Sequence, residues 1–170
     1  MLKIFNNLEP FFQDDYRRIN VREYARIEKI SAPSASALLK NLEKEVLLFK
    51  EEEKNYIYYS ANRENKIFID LSRVYWFMKF KEIGLINHFE KELIDPLIIL
   101  FGSFCKAEIK SNSDIDLAIF TISKKSLNLG VFENRLGRKI QLFIFKKRED
   151  IKSRELLNNI LNGFIIKGGW

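Results

Sequence analysis

Two short apolar runs, separated by a polar spacer, constrain this 170-residue chain more than any other feature. The first run, at 97–101, is rich in Leu and Ile and ends in Gly102 and Ser103; the second begins with Asp114 and Asp116. Runs of this length and composition predict buried strands. Residues two apart on a strand share a face, so we expect the two carboxylates to point the same way.

The residues at the ends of these runs suit phosphate and metal chemistry. Gly102 allows a sharp turn and a close approach of the backbone to a ligand. Ser103 can cap a short helix, whose free N–H groups suit phosphate. Two carboxylates on one face offer the hard oxygen ligands that Mg²⁺ prefers. Gly-Ser alone is usually a turn and Asp-x-Asp alone a solvated strand end, so it is their combination that predicts a nucleotide site.

At these residues the sequence resembles the nucleotidyltransferase superfamily that includes DNA polymerase β and the minimal nucleotidyltransferases of prokaryotes. The matching positions are Gly102, Ser103, Ser113, Asp114, Asp116 and Leu117, with Lys106 and Glu108 in the spacer. The resemblance implies that ATP or another NTP is the substrate, Mg²⁺ the cofactor, and that Asp114 and Asp116 are catalytic and bind the metal. It assigns nucleotide binding to Gly102, Ser103, Lys106 and Ser113. The glycine that is common between the two spacer positions is Ala107 here.

The resemblance also implies a third acid on the following strand, and the matching residue is Gln141, in a strand predicted at 139–145. A glutamine oxygen can be a metal ligand, but it cannot accept a proton at neutral pH. Glu133 and Glu149 are alternative sources of the missing acid. The sequence therefore leaves open whether Asp114, Asp116 and Gln141 form an active metal site or a site that binds nucleotide without catalysis.

The N-terminal residues predict a different domain. We expect helices at 4–13, at 21–29 and from a cap at Ser31 to about Glu45, then strands at 46–49 and 56–59 around a charged loop at 50–55. This order resembles the winged helix-turn-helix of prokaryotic transcriptional regulators.

The third of these helices carries the side chains that could reach duplex DNA. The nucleic-acid-binding residues that we predict on it are Ser34, Ser36, Lys40, Asn41 and Lys44. Residues 1–60 have ten basic and ten acidic side chains, and the acidic run at 51–53 would repel phosphates. A protein-contact or dimerisation module therefore stays open as the alternative to a DNA-binding domain.

The predicted fold class is α+β, with a winged helix at 1–62, a helical linker at 63–94 and a small mixed-sheet nucleotidyltransferase-like domain at 95–170. A helix over 62–80 has a broad apolar stripe that needs cover on more than one side. We expect it to pack against both domains, with a homodimer contact as the second interpretation. The last helix is predicted at 148–162.

Charge and composition restrict the partners. The net charge of +6 lies entirely in residues 61–170 and favours an anionic partner. Basic residues flank the predicted third strand: Arg135, Arg138 and Lys139 before it, and Lys146, Lys147, Arg148, Lys152 and Arg154 after it. A single cysteine and a single histidine argue against a disulfide framework and a zinc site. No apolar run approaches membrane-spanning length and the N-terminus lacks the form of a signal peptide, so we expect a cytoplasmic protein.

The leading functional prediction is a nucleotidyltransferase-family protein, fused to a DNA-binding winged helix, that binds NTP and Mg²⁺ and transfers a nucleoside monophosphate to a hydroxyl acceptor on a protein, RNA or small molecule. The alternative is a DNA-binding transcriptional regulator whose nucleotidyltransferase-like domain is not catalytic. A third interpretation, from the resemblance alone, is an antitoxin that modifies a nuclease partner.

Overall fold

The computed structural model of this protein describes residues 3–170; Met1 and Leu2, which the sequence assigns to the first domain, lie outside them. The chain divides into two compact units. The first extends to Ser72 and includes the separate segment Ala107–Ser111, and the second contains Arg73–Lys106 and Asn112–Trp170. Within the described residues, every helix is too short or too polar to cross a membrane.

Three helices and a small sheet make up most of the first unit. Its elements are α1 (Lys3–Phe12), β1 (Ile19–Asn20), α2 (Val21–Glu28), α3 (Ala32–Lys44), β2 (Leu48–Glu53) and β3 (Tyr56–Ala61). The strands pair antiparallel in the order β1-β3-β2. Large aromatic side chains such as Phe11, Tyr24 and Tyr59 are fully buried and form the core. The two-residue strand β1 was not predicted, because it is too short to show an alternating pattern.

Capping side chains fix where α2 and α3 begin. The side chain of Asn20 accepts a hydrogen bond from the backbone N–H of Glu23 (3.0 Å). Ser31 does the same for Ser34 (3.3 Å), as its sequence position predicts. These bonds satisfy donors that the first turn of a helix leaves free.

The connection between β2 and β3 is shorter than the loop predicted at 50–55. β2 continues through Glu53, and only Lys54 and Asn55 form the turn, with φ of 49° and 67°. Two consecutive residues with positive φ are typical of a tight hairpin whose twist matches that of its strands.

Ion pairs allow the acidic run to lie within a strand. Arg18 contacts both Glu51 (3.1 Å) and Glu53 (2.9 Å), which are two residues apart on β2. Lys50 pairs with Glu52 at 2.9 Å. The acidic run is therefore largely neutralised by its neighbours, which the sequence did not reveal.

The helix predicted at 62–80 is α4 (Lys66–Glu82), which crosses from the first unit into the second at Ser72. It begins later than predicted because the side chain of Asn65 accepts a hydrogen bond from the N–H of Ile67 (2.8 Å). The next helix is α5 (Leu85–Glu92).

A four-stranded mixed sheet organises the second unit: the sequence predicts a mixed sheet here, but not its strand at Phe164–Lys167. Its elements are β4 (Leu97–Phe101), α6 (Ser103–Lys106), β5 (Ile115–Phe120), α7 (Gly130–Leu136), β6 (Ile140–Phe145), α8 (Arg154–Leu161) and β7 (Phe164–Lys167). The strand order is β6-β5-β4-β7, with β4 antiparallel to both of its neighbours and β5 parallel to β6. All five residues of β4 are buried, which explains its continuous apolar sequence.

The helix predicted at 148–162 is instead two elements: a single 3-10 turn at Arg148–Asp150, and α8. The carboxylate of Asp150 accepts hydrogen bonds from the backbone N–H groups of Lys146 and Lys147 (both 3.2 Å), and Ser153 caps α8. Ile160 of α8 then packs with β4 and β5 in one apolar cluster.

Candidate functional site

The turn after β4 and the start of β5 lie against each other. The antiparallel register pairs Phe101 with Asp116, so Gly102 directly follows the residue opposite this carboxylate. Gly102 has φ of 69°, and a Cβ built on it would meet Asp116 Oδ2 and lie 3.2 Å from Asp116 Cγ. The sharp turn and the carboxylate are therefore immediate neighbours, and any side chain at position 102 would displace Asp116.

The environment of Asp116 disfavours its negative charge. Asp114 is exposed and Asp116 is half-buried. Burial, followed by the negative charge of Asp114, raises the pKa of Asp116 from its usual 3.8 to about 6. A carboxylate that is partly desolvated and lies near a second carboxylate creates a position where a cation is stabilised.

Gln141 lies beside this pair. The parallel register between β5 and β6 places it directly opposite Asp116. Among residues 3–170, no group of three or more His, Cys, Asp or Glu side chains could hold a metal ion. A third carboxylate thus does not join Asp114 and Asp116, and the amide of Gln141 occupies the neighbouring position.

The two alternative acids are placed elsewhere. Glu133 accepts a hydrogen bond from the backbone N–H of Ile140 (2.9 Å), and this bond lowers the pKa of its carboxyl. Glu149 follows the last residue of β6, whereas Gln141 is the second residue of the same strand. Glu133 therefore anchors the start of β6, and Glu149 is distant from the aspartates.

The residues predicted to hold the nucleotide precede the aspartates in the chain and differ in their surroundings. Ser103 is half-buried and begins α6, where the carbonyl of Gly102 accepts a hydrogen bond from Cys105 N–H (3.1 Å). Lys106 is exposed, and its ammonium donates to Asn159 Oδ1 of α8 (3.2 Å). The Gly102–Ser103 turn is thus the part of this set that directly adjoins Asp116.

Arg138 supports the segment before β5, a role that the sequence did not reveal. It is only 9% exposed, and its guanidinium lies over the rings of Trp76 (5.6 Å) and Phe104 (5.4 Å). Its Nη1 donates to the carbonyl oxygen of Ser113 (3.0 Å), one residue before Asp114. The sequence placed Arg138 among the basic residues that flank the third strand, whereas its burial and contacts make it a positioning residue.

The basic residues after β6 are not close to the aspartates. Gln141 is the second residue of this strand, and Lys146 and Lys147 follow its last. Five residues of extended chain span about 16 Å. These lysines therefore lie beyond reach of a phosphate that contacts Asp116.

The predicted nucleic-acid-binding residues lie on α3 in the first unit. Lys40 and Lys44 are exposed, whereas Ser36 is half-buried. The hydroxyl of Ser34 is 2.8 Å from that of Ser31 at the helix cap. Ser34 and Asn41 line a groove of about 670 Å³ together with residues of α1. The five side chains consequently do not form one uninterrupted surface.

The donor set fits Mg²⁺. Two carboxylates and an amide oxygen are hard ligands, and Mg²⁺ is commonly held by one or two carboxylates together with substrate phosphates. The backbone of Gly102 adjoins the carboxylate of Asp116 so closely that a Cβ would not fit between them. The residues present are therefore suited to one such ion.

Comparison with known proteins agrees with this geometry. Residues 85–168 match the family described as polymerase beta, nucleotidyltransferase. No curated protein matches the chain, and no solved structure does. The match contains both halves of the signature, so this part of the chain is similar to the nucleotidyltransferase family.

Proposed function

From the match of residues 85–168 to the nucleotidyltransferase family, we propose that this protein binds an NTP with Mg²⁺ and transfers a nucleoside monophosphate to a hydroxyl group of a protein, RNA or small molecule. One observation carries the proposal: the backbone of Gly102 lies against the carboxylate of Asp116. A triphosphate held at this turn would bring its oxygens to a metal ion on Asp114 and Asp116.

The reaction forms a bond between the acceptor oxygen and the α-phosphorus. The bond from that phosphorus to the bridging oxygen breaks, and pyrophosphate leaves with the electron pair. When bound, Mg²⁺ supplies neutralisation of phosphate charge. Asp114 and Asp116 hold the metal, and Gly102 and Ser103 orient the outgoing phosphates. Gln141 cannot take the acceptor's proton, which passes to water.

For the first unit we propose a winged helix that binds duplex DNA. The order α1, β1, α2, α3, β2, β3 is that of a winged helix, and the exposed ammonium groups of Lys40 and Lys44 on α3 suit phosphate contact. Binding to random duplex DNA should then weaken steeply as salt rises. Salt-independent binding, or none, would instead favour the protein-contact alternative.

Transfer of label from an α-labelled NTP tests the enzymatic proposal. We expect the wild-type protein to label an acceptor in the presence of Mg²⁺, and Asp114→Ala and Asp116→Ala each to abolish labelling. Asp150→Ala is the control, because this carboxylate caps the turn after β6 and lies outside the site. Persistent transfer by both site variants would reject the assignment.

A second candidate is a transcriptional regulator whose C-terminal domain is not catalytic, and the amide of Gln141 beside Asp116 favours it. Gln141→Glu restores a group that can accept a proton at nearly the same size. General-base catalysis typically contributes about 10²–10⁴-fold. If the wild-type site transfers slowly, Gln141→Glu should accelerate transfer; if both proteins bind NTP without transferring label, the regulator is correct.

A further inference from the structure

A cleft in the first unit is lined by cationic and aromatic side chains that belong neither to α3 nor to the candidate nucleotide site. It has a volume of about 460 Å³ and lies between the start of α2 and the turn that joins β2 to β3. Arg22 and Arg26 line it from the helix, and Asn55 and Tyr56 line it from the hairpin. None of these side chains was among the predicted nucleic-acid-binding residues.

The two arginines present uncompensated charge. They are four residues apart on α2, so they share a helix face, and both are exposed. Neighbouring arginines have partners: Arg17 pairs with Glu23 at 2.6 Å, and Arg18 pairs with two glutamates of β2. No acidic side chain in residues 3–170 forms an ion pair with either cleft arginine.

The positive charge of Arg22 destabilises α2. It lies in the first turn, where the helix dipole disfavours a cation, and it adds a like charge four residues before Arg26. An anion in the cleft would offset both effects. A bound phosphate therefore accounts for an arrangement that helix stability alone does not favour.

Tyr56 adds a surface for an unpaired base. Its side chain is 58% exposed, and no aromatic ring or guanidinium of the described chain packs on it. Asn55, the adjacent turn residue, carries both a donor and an acceptor. Aromatic side chains beside a cationic groove are the usual means of binding single strands, because a base in a duplex is already stacked on both faces.

We propose that this cleft binds single-stranded nucleic acid, with phosphates on Arg22 and Arg26 and a base stacked on Tyr56. The acidic run of β2 does not prevent this, since Arg18 pairs with Glu51 and Glu53. The assignment is independent of NMP transfer, because every residue in it belongs to the first unit.

Fluorescence anisotropy with the full chain tests the proposal, using labelled twelve-nucleotide oligothymidine and oligouridine and a twelve-base-pair duplex. EDTA in the buffer removes divalent metal, so that the nucleotide site does not contribute. We expect a single strand, DNA or RNA, to bind with affinity that falls as salt rises. The duplex reports separately on the binding proposed for α3, and failure of both single strands to bind would overturn the proposal.

Charge reversal on two helices separates the cleft from general electrostatics. Arg22→Glu should lower single-strand affinity about tenfold or more, while thermal stability is kept or raised because the glutamate suits the first turn. Lys66 is exposed at the start of α4 and does not line the cleft, so Lys66→Glu changes the net charge equally and should have less than about threefold effect. Tyr56→Ala should weaken binding roughly five- to hundredfold and Tyr56→Phe should restore it. Unchanged binding in Arg22→Glu, or equal losses in Arg22→Glu and Lys66→Glu, would refute the assignment.

Discussion

At the residue scale, the candidate site depends most on Gly102. Its φ of 69° lies in the left-handed region, and a Cβ would meet the carboxylate of Asp116. In Gly102→Ala we expect Asp116 to rotate away, because a side-chain carboxylate yields more easily than backbone. Unfolding free energy should fall by about 1–2 kcal/mol from the left-handed conformation alone, and Mg²⁺-dependent NTP binding, measured by calorimetry, should be lost.

Gly137→Ala is the matched control for this change. Gly137 has φ of 64°, and a Cβ there would have no neighbour within 4 Å. The variant should show a similar loss of stability in urea but retain NTP binding. If Gly102→Ala binds NTP as well as Gly137→Ala does, the turn and Asp116 do not form one site.

The raised pKa of Asp116 predicts opposite effects on stability and metal binding. Because its folded-state pKa is about 6 and its ordinary value is 3.8, the folded state binds the proton more tightly than the unfolded state. Its contribution therefore makes the metal-free protein more stable as pH falls from 6 towards 4, and Mg²⁺ affinity should decrease over the same range. Urea unfolding and calorimetry at pH 7.5 and 5 measure the two effects.

Asp116→Asn provides the comparison for both measurements. The amide removes a partly desolvated charge, so at pH 7.5 the variant should be more stable than the wild type while it binds Mg²⁺ more weakly. A variant that is less stable at pH 7.5 would show that the ionised carboxylate is stabilised by contacts rather than destabilised by burial and Asp114.

At the element scale, the end of α3 combines regular hydrogen bonds with an unfavourable residue. The N–H groups of Leu47 and Val46 bond to the carbonyls of Leu42 and Glu43 (both 2.9 Å), the pattern of a Schellman cap. The residue in the left-handed position is Val46, with φ of 59°, where glycine is usual. Its side chain is 55% exposed, so it contributes little packing in return.

Val46→Gly should therefore stabilise the protein. Left-handed conformation costs an L-residue about 1–2 kcal/mol, and the greater freedom of unfolded glycine offsets roughly 0.5–1 kcal/mol of the gain. We expect a net increase of about 0.5–1 kcal/mol in the unfolding free energy, measured in urea. Val131→Gly is the control: Val131 is 59% exposed within α7, and glycine there should destabilise.

At the scale of the whole molecule, the spacer of the nucleotide signature is held by a residue far away in the sequence. Asp15 is 1% exposed, and its Oδ2 accepts a hydrogen bond from the N–H of Ile109 (2.6 Å). The N–H of Asp15 donates to the carbonyl of Ile109 (2.8 Å). These bonds explain why Ala107–Ser111 clusters with the first unit although its sequence lies inside the second.

Asp15→Ala should release this segment. Loss of a hydrogen bond to a charged group costs roughly 1.5–3 kcal/mol, and the Ile109 amide should exchange with solvent much faster in hydrogen-exchange measurements. Asp14→Ala is the control, because the side chain of Asp14 accepts from Tyr16 N–H (3.0 Å) and not from Ile109, so protection of the Ile109 amide should be kept. Equal protection of Ile109 in wild type and Asp15→Ala would contradict the role of Asp15.

The sequence predicted three of the four strands of the second unit because their burial leaves a pattern in the residues themselves. The apolar run at 97–101 is a strand that is buried on both faces, and the predicted mixed sheet is confirmed. The sequence-based prediction was wrong where a single side chain decides the local structure. Asp150 and Ser153 cap two separate elements within the helix predicted at 148–162. Arg18 pairs with acidic residues of β2, which allows the strand to extend through them. The roles of Asp114, Asp116 and Gln141 stay predictions.

By itself, the sequence determined the similarity of residues 85–168 to the nucleotidyltransferase family, because a glycine turn, two alternating carboxylates and two buried strands are local properties of a short stretch of chain. Only the tertiary structure decided which residues meet. Strand register placed Gly102 against Asp116 and Gln141 opposite it, and folding buried Arg138 beneath the Ser113 carbonyl. Such contacts join residues that are distant in sequence, and the pattern of side chains along one strand does not specify its partner's register.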